Sequence, residues 1–417
     1  MNGRRRTTAA LRHRDFALLW SGQSVSLIGD GVYTVALALE TLRVDDRPVA
    51  LALVLAARLF PTVLLLLAGG VIVDRIPRRL AMLVSDSTRG VVVAVVAVLI
   101  AFGNPEIWEL VVMSVIFGAA DALFFPAVTA VVPEVLPPEL LVQGSALNAT
   151  SQTVAQVLIG PALGGLVVAV VGFQWAFAID GVSFAASAAC LLAMTRLPRP
   201  EASGRSPLAD LAEGLRYVRS QRWLWASLIA AGLANFAAFA QLSLGVPLLV
   251  RNVLHEGALA LGLVLAAGGL GGLVMTLLVA RLGSPRLRIT SMWGSWAVSA
   301  AGIIGLGSAP NVWFAGGCML VVSGTLTYGN VLWYPMFQEI VPPELLGRAS
   351  SVDWMVSLAL TPLGVLVGGA AAGVIGVRLT MVIGGTTALL LCGVLFVPGV
   401  RDPERRLSRS SNAREAR

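Results

Sequence analysis

The chain has 417 residues, of which 57% are hydrophobic and 13% charged, and its formal net charge is +7. A water-soluble protein carries roughly a quarter charged residues, so a surface that faces only water is excluded. All 30 basic residues are arginine, which excludes a Schiff-base lysine, and they stand at the ends of apolar runs, which points to membrane orientation and away from nucleic acid.

A mean hydropathy of +0.82 supports the same reading. One bilayer crossing takes about 20 apolar residues, so twelve spans with short loops fit the length. Residues 1–15, with Arg4, Arg5, Arg6, Arg12 and Arg14, read as a cytoplasmic segment. The apolar run after it continues past Asp30 and Tyr33 with no small-residue cleavage site, so it reads as a first span over 16–40 and not as a signal peptide. In it Gln23, Ser26, Asp30 and Tyr33 recur at steps of three and four, a polar stripe that must face a cavity or another helix.

The second and third spans are expected at 49–73 and 80–102. Asp86 and Arg89 are i, i+3 on the third, a local ion pair within reach of Arg58 or of the loop that carries Asp74. The fourth span, 107–131, puts Ser114, Gly118 and Asp121 on one side. The fifth, 143–171, aligns Asn148, Gln152 and Gln156 and then runs into Gly160-Pro161-Ala162-Leu163-Gly164-Gly165. Its glycines let another helix approach and its proline bends the backbone. The sixth, 173–194, contains Asp180, which calls for a structural partner.

A linker over 195–222 follows. Leu208, Leu211, Leu215 and Val218 recur at helical steps in it, so a short amphipathic helix on the cytoplasmic membrane surface is expected. Six more spans are expected at 223–250, 257–281, 288–309, 311–338, 350–374 and 377–399, before an Arg-rich tail at 400–417. The seventh offers Asn235, Phe236, Phe239 and Gln241; the tenth Tyr328, Asn330, Trp333 and Tyr334; the eleventh Asp353, Ser357 and Thr361.

With both termini inside, 24 arginines fall on the cytoplasmic side, four fall outside, and Arg58 and Arg89 lie within spans. That alternation supports twelve crossings of a cell membrane. The halves 16–194 and 223–399 also look duplicated. Leu136-Pro137-Pro138-Glu139-Leu140-Leu141 returns as Val341-Pro342-Pro343-Glu344-Leu345-Leu346, and Pro161 with Gly164 returns as Pro362 with Gly364. Such repeats are common in secondary transporters.

The stretch Gly70-Val71-Ile72-Val73-Asp74-Arg75-Ile76-Pro77-Arg78-Arg79 resembles the signature loop of the major facilitator superfamily, with Pro77 in place of its usual Gly. The Gly160–Gly165 stretch resembles the antiporter motif of that family, with Gln156 where the longer motif has Gly. Arg14-Asp15-Phe16-Ala17-Leu18-Leu19-Trp20 with Gly29-Asp30-Gly31 resembles the branch of siderophore and macrolide exporters. The resemblance implies an all-helical membrane fold of two pseudo-symmetric six-helix bundles that alternate access to a site between them. It implies a gating role for Gly70, Asp74, Arg75, Arg78 and Arg79, and a pathway lined by the first, fourth, seventh and tenth spans.

A proton-coupled exporter of bulky amphipathic molecules is therefore expected, acting as a monomer in the lipid bilayer with no cofactor. Asp30 and Asp121 are the candidate proton carriers. Gln23, Ser26, Tyr33, Gln152, Gln156, Asn235, Phe239, Tyr328, Trp333, Asp353 and Ser357 are the candidate cavity residues. Gly160, Pro161, Gly164 and Gly165 are the candidate packing residues. The Arg that the drug–proton antiporter branch of the family usually has in its fourth span is absent here, which weakens transfer of that branch's proton mechanism. Import on the same fold is the alternative, and a transport-dead sensor or scaffold is the alternative of another class. No phosphate-binding loop, catalytic triad or metal-ligand cluster stands out, so no enzyme activity is expected; the chain has only two histidines.

Overall fold

The computed structural model describes residues 9–73, 76–103, 105–195, 207–283 and 285–402. These fold into thirteen principal helices: α1 (Arg14–Val44), α2 (Pro48–Val73), α3 (Arg78–Phe102), α4 (Ile107–Val135), α5 (Pro138–Val170), α6 (Phe173–Ala193), α7 (Pro207–Ser220), α8 (Arg222–Val253), α9 (Ala258–Leu282), α10 (Arg288–Gly307), α11 (Val312–Ile340), α12 (Leu346–Ile375) and α13 (Val377–Phe396). All but α7 are long and apolar enough to cross a bilayer, twelve in all, and no strand occurs among the described residues. Every predicted span has its helix. Several helices run further than predicted, because a helix does not have to stop where the hydrocarbon does. The 31 residues of α1 reach about 46 Å at 1.5 Å per residue, against roughly 30 Å of bilayer core.

Three helices are irregular next to proline. Pro161 lacks an N–H and crowds the carbonyl four residues back. The turns before it widen into a π-helix over Gln152–Ile159. In α8, π-helical turns at Gln241–Gly245 and Leu249–Val253 flank Pro247. In α12 the α-helix breaks at residues 359–360, directly before Thr361-Pro362. A hydrocarbon solvent offers no hydrogen bonds, so these breaks persist only where neighbouring helices cover them.

The chain forms two compact units: residues 1–204 with 250–266, and residues 205–249 with 267–417. The first is wider than the predicted N-terminal bundle, because the start of α9 packs on α5. A methyl group on Gly165 would stand 2.5 Å from the Ala258 carbonyl oxygen. Within this unit α1 packs on α5 and α6, α2 on α4, and α3 on α4 and α6. Within the second unit α8 packs on α12 and α13, while α10 packs on α11 and α13. These are the same neighbours, one repeat later.

The linker helix forms at α7, and one face of it packs on the second unit. Val218 is buried, and Leu211 packs against the core of the second unit. Gly214 lies close against the backbone of Arg348 at the start of α12, and the Arg348 guanidinium meets the Glu213 carboxylate at 2.6 Å.

Candidate functional site

Small residues beside charged ones draw the helices of the first unit together. Gly29 precedes Asp30 and faces Asp180 and Ser183 of α6, and a methyl group there would stand 2.5 Å from Asp180 Oδ1. Gly118, three residues before Asp121, lies against the Arg58 backbone of α2. Thr62 Oγ1 ties the same two helices by donating to the Gly118 carbonyl at 2.9 Å. These close approaches bring six ionisable side chains from five helices into one buried network.

Asp121 is its hub. It accepts from Arg58 Nε at 3.1 Å and Nη2 at 2.9 Å, and from Arg89 Nη1 at 3.2 Å. Arg89 also donates to Asp86, whose other oxygen accepts from Ser187 Oγ at 2.7 Å. Aromatic rings wrap the cations. The Arg58 guanidinium sits 4.4 Å from the Phe117 ring centre and 5.3 Å from that of Tyr33. Arg89 sits 4.3 Å from Phe124 and 4.6 Å from Phe184. Desolvated guanidiniums gain from such faces and from paired carboxylates, the two partners they need at this depth.

Asp30 and Asp180 complete the network differently. Both are buried, and among the described residues neither meets a guanidinium. Asp180 keeps Ser183 Oγ at 3.3 Å, while Asp180 Oδ2 and Asp30 Oδ1 have no hydrogen-bond partner. Four carboxylates thus share two guanidiniums. The sequence paired Asp86 with Arg89 and offered Arg58 or the Asp74 loop as their further partner; the structure joins Arg89 to Arg58 through Asp121, which accepts from both.

The other predicted residues of this unit divide. Tyr33 is 2% exposed and stacked on Phe117 at 4.8 Å, so it belongs to the aromatic packing and not to an open cavity wall. Ser26 is buried and Gln23 half-buried, with Gln23 Nε2 unpaired. Gln156 is half-buried and Gln152 exposed on the π-helical stretch of α5. Gly160 and Gly164 pack on Gly31 and Val32 of α1, Gly165 on Ala258 and Gly262, and the Pro161 carbonyl on Gly262. In the signature loop, Gly70 closes within α2, while Asp74 and Arg75 lie outside the described residues. Arg78 donates to the Ala130 carbonyl at 2.8 Å and pairs with Glu134, both on α4. Arg79 donates to the carbonyls of Leu191 and Leu192 on α6. These contacts of the two arginines run inside the first unit.

The second unit holds a different site, a cavity of about 270 Å³ between α8, α10, α11, α12 and α13. Asn235, Trp333, Asp353 and Ser357 all line it, together with Trp293, Trp296, Tyr334 and Trp354. Phe239 and Tyr328 do not; Tyr328 packs into the core beside it. Asp353 is 8% exposed and accepts from Trp333 Nε1 at 3.0 Å and Ser357 Oγ at 3.4 Å. Asn235 Nδ2 donates to the Ser357 carbonyl at 3.0 Å. The tryptophans of α10 escaped the sequence reading, although Ser291, Ser295 and Ser299 recur there at four-residue steps and Ser299 lines the same cavity.

Known proteins of similar sequence and fold are membrane transporters. The chain is 23% identical to macrolide efflux protein A of Streptococcus pyogenes over 393 residues, covering 93% of this chain and 96% of that one. It is 27% identical to the enterobactin exporter EntS of Shigella boydii over 340 residues, covering 80% and 79%. Among solved structures, a mutant form of the nucleoside transporter NupG superposes with a TM-score of 0.72 at 11% identity, covering 92% of this chain and 99% of that one. A bacterial homologue of the iron transporter ferroportin, in an inward-facing state, gives 0.69 at 16% identity, covering 93% and 99%. The profile of the family described as transmembrane secretion effector matches residues 6–414. The twelve crossing helices, the duplicated units and this near-complete match place the chain in the transmembrane secretion effector family of major facilitator transporters.

Proposed function

We propose that this protein is a proton-coupled exporter of bulky amphipathic small molecules that works by alternating access, with both termini cytoplasmic. The buried network of the first unit carries the reading. Two guanidiniums neutralise two of its four carboxylates, so it is electrically balanced when it holds two protons. Uncompensated charge at this depth costs several kcal/mol, so loading and release of such protons biases one conformation over another. Asp30 is the carrier: it is buried, meets no guanidinium among the described residues, and keeps one oxygen unpartnered. Asp121 is the fixed counter-ion that holds Arg58 and Arg89 beside it. Export is the direction favoured by relatives named as a macrolide efflux protein and an enterobactin exporter. The excess of arginines in the loops assigned to the inside supports the orientation.

The test is uptake of a labelled macrolide into everted vesicles under an imposed pH gradient. Wild type accumulates the label and alkalinises the lumen as it does so. Asp30→Asn loses gradient-driven uptake but keeps gradient-free exchange of label. Undiminished gradient-driven uptake by Asp30→Asn would reject it as the carrier. Accumulation of label in intact cells expressing the wild type would reject export.

A further inference from the structure

We infer that the cavity of the second unit is a binding site for an organic cation, with Asp353 as its counter-ion. The inference names a substrate class and rests on the transporter reading above. The walls argue for it first. Trp293, Trp296, Trp333, Tyr334 and Trp354 all line the same space, and aromatic faces attract positive charge. The electrostatics argue for it next. Among the described residues, Asp353 is the one carboxylate that lines the cavity, and no Arg or His lines it. Its protein contacts are two neutral donors, Trp333 and Ser357. Neutral hydrogen bonds orient a buried carboxylate without cancelling its charge, so it stays poised for a cation.

The unpaired indole donors of α10 do not serve the cavity: Nε1 of Trp293 and of Trp296 are fully enclosed, and that of Trp296 lies against Gly329 of α11. At about 270 Å³ the space is at the small end of ligand pockets, so it seats the charged head of an amphiphile and not the whole of a large one.

The experiment uses full-length protein in nanodiscs with no gradient, labelled with 5-fluorotryptophan, and the probe is benzyltrimethylammonium. Fluorine resonances are assigned by single Trp→Phe substitutions. Resonances of Trp293, Trp296, Trp333 and Trp354 should shift saturably with the cation, and benzyl alcohol or benzoate should give binding at least about tenfold weaker. Asp353→Asn should weaken the cation by a similar factor, and Asp353→Glu should restore part of it. Equal shifts with benzyl alcohol would overturn the inference and leave a merely apolar cavity. No shift in the wild type would overturn it without reference to any variant's folding. Because no gradient is applied, cation binding without proton-driven uptake would sink only the coupling reading. Proton-driven uptake with no cation-specific shift would sink only this one.

Discussion

Gly118 and Asp121 show how a residue choice holds the network. A methyl group on Gly118 would stand 1.9 Å from the Arg58 carbonyl oxygen, and backbone cannot swing aside as a side-chain end can. Gly118→Ala must therefore part α2 from α4 and draw Arg58 away from Asp121. Its apparent melting temperature should fall by several degrees, while Gly294→Ala, which meets open space, should leave it unchanged. The acids differ from each other by the same reasoning. Asp121→Asn strands the half-buried Arg58 and leaves Arg89 only Asp86, a loss of up to about 3–5 kcal/mol, whereas Asp30→Asn strands none. Thermal unfolding followed by tryptophan fluorescence should rank Asp30→Asn well above Asp121→Asn in stability, and a reversed order would remove Asp121 from the hub. The sequence marks Asp30 and Asp121 equally, as acids inside apolar runs. What separates them is which helices are neighbours, and hydropathy does not carry that. A partial signal was present: Asp30, Arg89 and Asp180 each have a glycine adjacent in sequence, the mark of a charge held at a close helix contact.

At the scale of elements, helical periodicity located all twelve crossing helices and the linker helix, because oil-facing and core-facing residues repeat with the turn. It did not show what an apolar face meets. The recurrence of Leu211, Leu215 and Val218 suits a membrane surface and a protein groove equally well, and α7 takes the groove beside α12. Docking depends on Gly214, where a side chain would run into the Arg348 backbone 2.5 Å away. Gly214→Val should lift α7 from α12. Amide exchange over residues 211–220 should then rise by at least tenfold, since local opening free energy falls by about 1.4 kcal/mol per factor of ten. Unchanged protection in that variant would mean that the Glu213–Arg348 pair and Val218 suffice. The π-helical turns were less accessible still. Pro161, Pro247 and Pro362 announce a disturbance, but only Pro161 and Pro247 have widened turns beside them, while α12 breaks instead. The local sequence shows where the backbone yields; the neighbours decide how.

Across the whole molecule, the duplication visible in two Pro-Pro-Glu-Leu-Leu motifs extends to contacts no motif displayed. Arg78 at the start of α3 pairs with Glu134 near the end of α4, and Arg288 at the start of α10 pairs with Glu339 near the end of α11. Glu134 and Glu339 each stand two residues before their repeat's Leu136 or Val341, so the pair is one device copied. The charge network was not copied. At the offset of 210 that relates Arg78 to Arg288, Asp86 and Arg89 fall on Trp296 and Ser299; at the 205 that relates Glu134 to Glu339, Asp121 falls on Leu326; and at the 201 that relates Pro161 to Pro362, Asp180 falls on Met381, none of them charged. One unit specialised in buried charge and the other in an aromatic cavity, on the same packing plan. The copied pair permits a test of how far the plan is shared in energy as well as geometry. The Arg78 and Glu134 side chains are 21% and 20% exposed, while Arg288 and Glu339 are 29% and 46% exposed. Removing one partner from the drier pair leaves a poorly hydrated charge, at about 1–3 kcal/mol. Water screens the wetter pair, so its loss costs less than about 1 kcal/mol. Glu134→Gln should therefore melt several degrees below Glu339→Gln, and the double variant should show the sum of the two shifts, because the pairs share no partner. Equal shifts would mean that solvent exposure does not set the strength of this device, and the two copies would have to be held by something other than their ion pairs.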